Sequence, residues 1–268
     1  FFVCAAAFVA SAEPEPPTIK LTGIVDLPGF KRALVEVPIT VGPHHFSEHL
    51  TLEEGQRDRR SPVEIVKIDS DKATVTVRDA GKETALVFEN QKEPGLSTNI
   101  PNSTVRLDNA DFAQVLDIYA EMKGRTVLRP ATLPGGRFSF KAAARDKTEA
   151  AKAIEEEFLR RGITVIPDGE KFVMVVPSSM AKEVAPHSPK PNVTPADKIL
   201  PKGTINLSNI DVNQALMIYG GLIDRKFVRA QAVPSAPISF RSTTPLTKEE
   251  AIYALDTLFG WNYISIIL

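Results

Sequence analysis

The chain has 268 residues, room for two or three small domains, and its 43% apolar and 24% charged residues describe a folded protein and not wholesale disorder. Lys and Arg number 32 against 33 Asp and Glu, a net charge of −1, so the basic surplus that neutralises nucleic-acid phosphates is lacking. A single cysteine excludes an internal disulfide and a cysteine-rich zinc module, and four histidines leave little material for a metal site.

Residues 1–12 are apolar and end in Ala10-Ser11-Ala12 before Glu13-Pro14-Glu15-Pro16-Pro17, the pattern of a signal-peptide core and its small-residue cleavage site. The stretch is shorter than the roughly 20 apolar residues that a bilayer span needs. A basic leader and an initiator Met are not in the sequence, so the chain is expected to begin inside its signal. Val3 stands where a lipoprotein site wants a small residue, which puts Cys4 in the discarded segment and leaves an exported chain without cysteine.

Pro, Ser, Asn and Lys concentrate in residues 90–103 and more strongly around 178–202, where proline suits a semi-rigid linker. Three folded segments remain, 18–90, 104–177 and 204–268, and the first reads as a small all-β domain. Residues 18–25, 32–37, 63–68, 73–78 and 83–88 alternate or are rich in β-branched side chains, with turn residues at 26–29, 69–71 and 80–82. A barrel or sandwich of five or six strands is the expectation.

The segments 104–177 and 204–268 read as copies of each other. At an offset of 100, Thr104/Thr204, Leu107/Leu207, Asn109/Asn209, Asp111/Asp211, Gln114/Gln214, Leu116/Leu216, Ile118/Ile218 and Tyr119/Tyr219 are identical, as are Arg125/Arg225, Arg129/Arg229, Pro134/Pro234 and Ser139/Ser239. Such a run of identities in one register indicates an internal duplication. Each copy runs from a strand into a helix that opens with an Asp…Gln capping pair, then through two short strands around 126–129 and 137–141 to a second helix near Thr148 or Thr247. Residues 163–166 and 172–176 complete the first copy as a hairpin. The order is βαββα plus hairpin, with two helices on one face of a small mixed sheet. The second copy has no counterpart of 168–177, so a C-terminal cut is expected as well.

His45-Phe46-Ser47-Glu48-His49 fits the H-x-x-E-H zincin pattern, in which two histidines on one helix face hold zinc and the glutamate is the general base. Gly42-Pro43 before it and flanking strands argue instead for a solvated connection, so a zinc hydrolase ranks last. Glu155-Glu156-Glu157 with Arg160-Arg161 reads as a solvated helix face carrying i,i+4 pairs. The glycine pairs match no phosphate or dinucleotide loop, and no G-x-x-G clamp for RNA occurs anywhere in the chain. No catalytic, cofactor or metal residue is assigned. Arg129 and Arg229 are candidates for facing a partner, against the plainer reading of structural ion pairing. Tyr119 and Tyr219 fall on the apolar stripe of the core.

With those residues in view, each copy resembles the N-terminal periplasmic ring domain of secretins, the outer-membrane channels of type II secretion and type IV pilus systems. The resemblance rests on a strand followed by Asn109…Leu116 or Asn209…Leu216, a short strand pair, and the opening of the second helix, and it covers about half the chain. Residues 18–90 are similar to the small β-domain of the inner-membrane clamp and pilot-type proteins of those systems, which usually sits on a separate chain. No transmembrane barrel is visible in the sequence. The resemblance implies a periplasmic, non-enzymatic component that needs no cofactor, nucleic acid or small-molecule substrate. Its partners would be other secretion or pilus subunits, with a homo-oligomeric ring in the full-length context. The signalling domain of TonB-dependent receptors shares the pattern and is the alternative.

Overall fold

The computed structural model describes residues 18–41, 44–59, 61–89, 104–133, 135–184, 186, 199–226, 228 and 237–267. It is mixed α+β, with four helices and thirteen strands among the described residues. Strands β1 (Lys20–Leu27), β2 (Phe30–Val41) and β3 (His44–Leu52) form an antiparallel meander. Pro28 and Gly29 make its first turn, with Gly29 at φ 68°, the positive angle that glycine adopts without steric cost. Strands β4 (Glu64–Asp69), β5 (Thr74–Asp79) and β6 (Lys82–Val87) form a second antiparallel sheet. Leu21, Ile24, Val35 and Leu52 of the meander share a core with Ile65, Val75 and Phe88. The β-segment expected from the alternation is thus six strands in two facing sheets.

That segment does not end at the expected joint. β7 (Thr104–Asp111) pairs antiparallel with β1 on one side and with β9 (Arg137–Ala143) on the other, giving one five-stranded sheet in the order β3-β2-β1-β7-β9. Residues 90–103 lie outside the described residues, but they do not separate two sheets. The cause is in β1, whose Leu21 and Ile24 face one core while Val25 and Leu27 enter another. A strand buried on both faces is a central strand, and it needs a neighbour at each edge.

Helix α1 (Phe112–Lys123) follows β7, and α2 (Lys147–Arg160) follows β9. Their common core centres on Phe112, Phe138 and Phe158, with Phe112 and Phe138 stacked at 5.2 Å and Phe158 edge-on to both. The hairpin expected after the second helix is present as β10 (Ile163–Asp168) and β11 (Phe172–Pro177). The short strands expected to pair with each other do not: β8 (Thr126–Leu128) joins β11 in parallel, whereas β9 joins β7. The helices therefore contact two sheets and not one.

The later unit holds β12 (Asn206–Ile210), α3 (Val212–Ile223), β13 (Ile238–Arg241) and α4 (Lys248–Trp261), with β12 and β13 antiparallel. It is not strung on a tether. On β11, Val173 and Val175 point into the core of α1 and α2, while Phe172, Met174 and Val176 point into the core of Tyr219, Phe240, Leu255 and Phe259. Successive side chains of a strand face opposite ways, so one fully buried strand closes both cores. Met180, Ala181 and Val184, from the start of the expected linker, pack on the second core; residues 187–198 lie outside the described residues. Polar contacts join the units as well. Lys171 Nζ lies 2.8 Å from Glu250 Oε2, Tyr253 donates to Asp168 at 2.6 Å, and Arg241 donates to Asp117 at 2.7 Å. Residues 264–267 form no strand, although Ile264 and Ile266 rest against the core.

Candidate functional site

The residues repeated a hundred positions apart build the same local device twice. In β7 and in β12 the ladder slips by a bulge, and the bulge places Asn109 at φ 57° and Asn209 at φ 54°. Asparagine tolerates this left-handed angle better than other side chains with a Cβ. The Asn109 N–H donates to Ser139 Oγ at 2.8 Å, and that of Asn209 to Ser239 Oγ at 3.0 Å. Two residues on, Asp111 caps α1 and Asp211 caps α3; Gln114 and Gln214 each return an Oε1 to the cap N–H at 3.3 Å. The device turns a strand into a helix within three residues and so presents the helix alongside the edge of its own strand.

The repeated tyrosines lie below it. Tyr119 is fully buried and donates to Glu155 at 2.6 Å, while Lys123 holds the same carboxylate at 3.3 Å. Burial, then the bond to Glu155, pushes the Tyr119 phenol far above its ordinary value. Tyr219 is shifted upward in the same way beside Asp256, whose own carboxyl is pushed up by burial. These phenols are locked neutral in apolar cores and are placed for packing.

Arg129 is half-buried. Burial draws its guanidinium down from the usual value, and the nearby Asp111 and Asp117 carboxylates oppose that. Arg229 lies outside the described residues. Asp117, which receives Arg241 from the second unit, has its carboxyl pushed up by burial, with Arg241 pulling against it.

The H-x-x-E-H residues lie on β3, an edge strand of the five-stranded sheet, and so form neither the helix of a zincin nor the solvated connection expected from Gly42-Pro43. His45 pairs with Thr40 and His49 with Glu36. Four residues along a strand span about 13 Å, and Glu48 takes the opposite face from His49, so the sequence pattern does not become a zinc-ligand geometry. Among the described residues no cluster of three His, Cys, Asp or Glu side chains could hold a metal ion. Glu36, opposite His49, is held below the usual carboxylate range: burial works against it, but hydrogen bonds from Ser47 and Arg137 outweigh that.

Sequence reasoning missed the second task of Gln114. Its side chain is 2% exposed and crosses from α1 to the meander, where Nε2 donates to Leu50 O at 2.9 Å and Val35 O at 3.3 Å, and Thr22 donates to Oε1 at 3.4 Å. A bulge in β1 at Thr22 admits it. Arg32 of β2 reaches Glu121 on the same flank of α1 at 3.0 Å. No local signal distinguishes Gln114 from Gln214, which is exposed.

α3 also borders an open groove of about 600 Å³, lined by Leu216, Met217, Gly220 and Gly221. In the first unit Leu133 is buried in the core shared by α1 and α2; the corresponding stretch of the second unit, 229–236, lies outside the described residues. Among the described residues no helix is long and apolar enough to cross a membrane. Comparison with known protein families, curated proteins and solved structures returns no match.

Proposed function

We infer that the chain is an exported, non-enzymatic docking component of a type II secretion or type IV pilus-type apparatus, working in the periplasm. Its two βα units act as secretin-N-like ring domains descended from one duplicated unit, and its partners are other subunits of the apparatus. The observation that carries the reading is the strand–bulge–helix device: the same Asn, Asp, Gln and Ser residues make the same bonds in both units. The Asn and Asp of that device open the Asn109…Leu116 and Asn209…Leu216 pattern on which the secretin resemblance rests, and the roles of all four residues are in folding and presentation, as expected of a module that works through its surfaces. Ring formation would follow only when many copies are held together, since single contacts between domains this small fall near the roughly 1,200 Å² that a stable interface needs.

Deleting the gene in the organism that carries it tests this. The expected result is loss of extracellular cargo or of surface pili, with fewer assembled secretin multimers in the outer membrane. Normal export and piliation would overturn the reading.

A further inference from the structure

The outer strands of the sheets differ in how they are guarded. An exposed edge invites pairing with another chain, and folded proteins blunt it with charged side chains, proline or a covering element. β9 carries Arg137 and Lys141, and the Arg161 guanidinium bonds the Arg137 carbonyl at 2.9 Å. β10 carries Pro167. β3, at the opposite edge of the five-stranded sheet from β9, has no Lys, Arg or Pro in its nine residues. Its 50–52 end is covered, with Gln114 donating to the Leu50 carbonyl at 2.9 Å. The other end stands clear. β1 pairs with β2 only as far as Glu36, so among the described residues 37–41 and 44–48 run on past β1 as a two-stranded ribbon. A ribbon of two strands is marginal in water by itself and gains from a further neighbour. One face of this ribbon continues the buried row of Ala33, Val35 and Val37 with Ile39 and, opposite it, Phe46, whose ring is 58% exposed.

We propose that residues 44–48 of β3 pair antiparallel with the same stretch of a second copy of this chain, about a two-fold axis at Phe46. Main-chain hydrogen bonds supply the attraction, and the side chains select the register. With the axis at Phe46, Ile39 and Phe46 of one copy and Phe46 and Ile39 of the other form one apolar row across four strands. On each side of that row the His44 imidazole stands against the Glu48 carboxylate of the other copy, and no like charges meet. An axis at Glu48 would oppose two carboxylates, and an axis at Ser47 would set Phe46 against Glu48. The strand is thus its own complement in one register, which is the requirement of an isologous contact, and the contact closes after two chains. Pairing confined to residues 44–48 falls below the roughly 1,200 Å² of a stable complex, so the dimer is a weak one that forms as concentration rises. It does not depend on the secretion reading.

Sedimentation of the full chain across a concentration series should show a monomer–dimer equilibrium. Phe46→Lys, at an exposed site, sets two cations on the axis and should weaken association roughly tenfold or more with the folded spectrum unchanged. In a Cys4→Ser background, Phe46→Cys should form a disulfide between copies under mild oxidation, because directly opposed residues of an antiparallel pair have Cβ atoms about 5 Å apart. Lys141→Cys, on the guarded edge of β9, should stay unlinked. A chain that remains monomeric at the highest concentration, a dimer indifferent to Phe46→Lys, or cross-linking through position 141 in preference to 46 would each overturn the proposal. Slowed amide exchange at residues 44–48 only on adding a different protein would give the edge to that protein and overturn the dimer as well.

Discussion

Helices α1 and α3 begin with the same capping box and carry the same buried tyrosine, yet the flank that α1 buries against the meander is open to solvent on α3. Gln114 bonds two buried carbonyls on neighbouring strands, and Gln214 makes only the cap bond among those two tasks. The difference lies in what surrounds the device and not in the device itself. A cap is satisfied within one turn of helix, whereas a flank is satisfied only by whatever strand the rest of the chain supplies. Between the two units, β11 reverses the contrast: here the surroundings are shared, because one strand completes both cores.

The largest test is of that shared strand. Phe158→Ala and Phe259→Ala each remove a fully buried ring, at a cost of about 3–5 kcal/mol. If β11 ties the cores together, either variant lowers the melting of 104–177 and 204–267 jointly, as one calorimetric transition. Two separate transitions, only one of which moves, would show the units to be thermodynamically independent.

A smaller effect separates the glutamines. Gln114→Ala leaves the Val35 and Leu50 carbonyls without this donor and should cost about 1–3 kcal/mol. Gln214→Ala loses one exposed cap bond and should cost no more than about 1 kcal/mol. Urea denaturation of the two variants reads the difference directly, and equal costs would mean that the meander does not depend on Gln114.

The smallest effect is alkaline. Burial, then hydrogen bonding to carboxylates, raises both Tyr119 and Tyr219 in the folded chain. A raised phenol contributes stability that is complete below its unfolded value of about 10 and is lost as pH climbs above it. Tyr119→Phe and Tyr219→Phe should each cost about 1 kcal/mol at pH 7. The double variant should lose stability less steeply above pH ~10 than the parent chain. Identical alkaline slopes would argue that neither phenol is desolvated as its burial indicates.

By itself the sequence determined the local elements: the alternation of residues 63–88, the Asp111 and Asp211 caps, the second helices near Thr148 and Thr247, and the hairpin at 163–177. Each rests on interactions between residues close in the chain, where a period or a cap is legible. It also placed Asn109, Ser139, Gln114 and Tyr119 at matched positions, though not their bonds. Only the tertiary structure decided the partners. β1 reads as one strand of a small β-domain until β7 pairs with it, and β8 and β9 read as a pair until they part to different sheets. H-x-x-E-H likewise states an interval and not a conformation, and pairing with β2 made it a strand. Strand pairing joins residues far apart in sequence through backbone groups that every residue type carries, so side-chain identity leaves the choice of neighbour open.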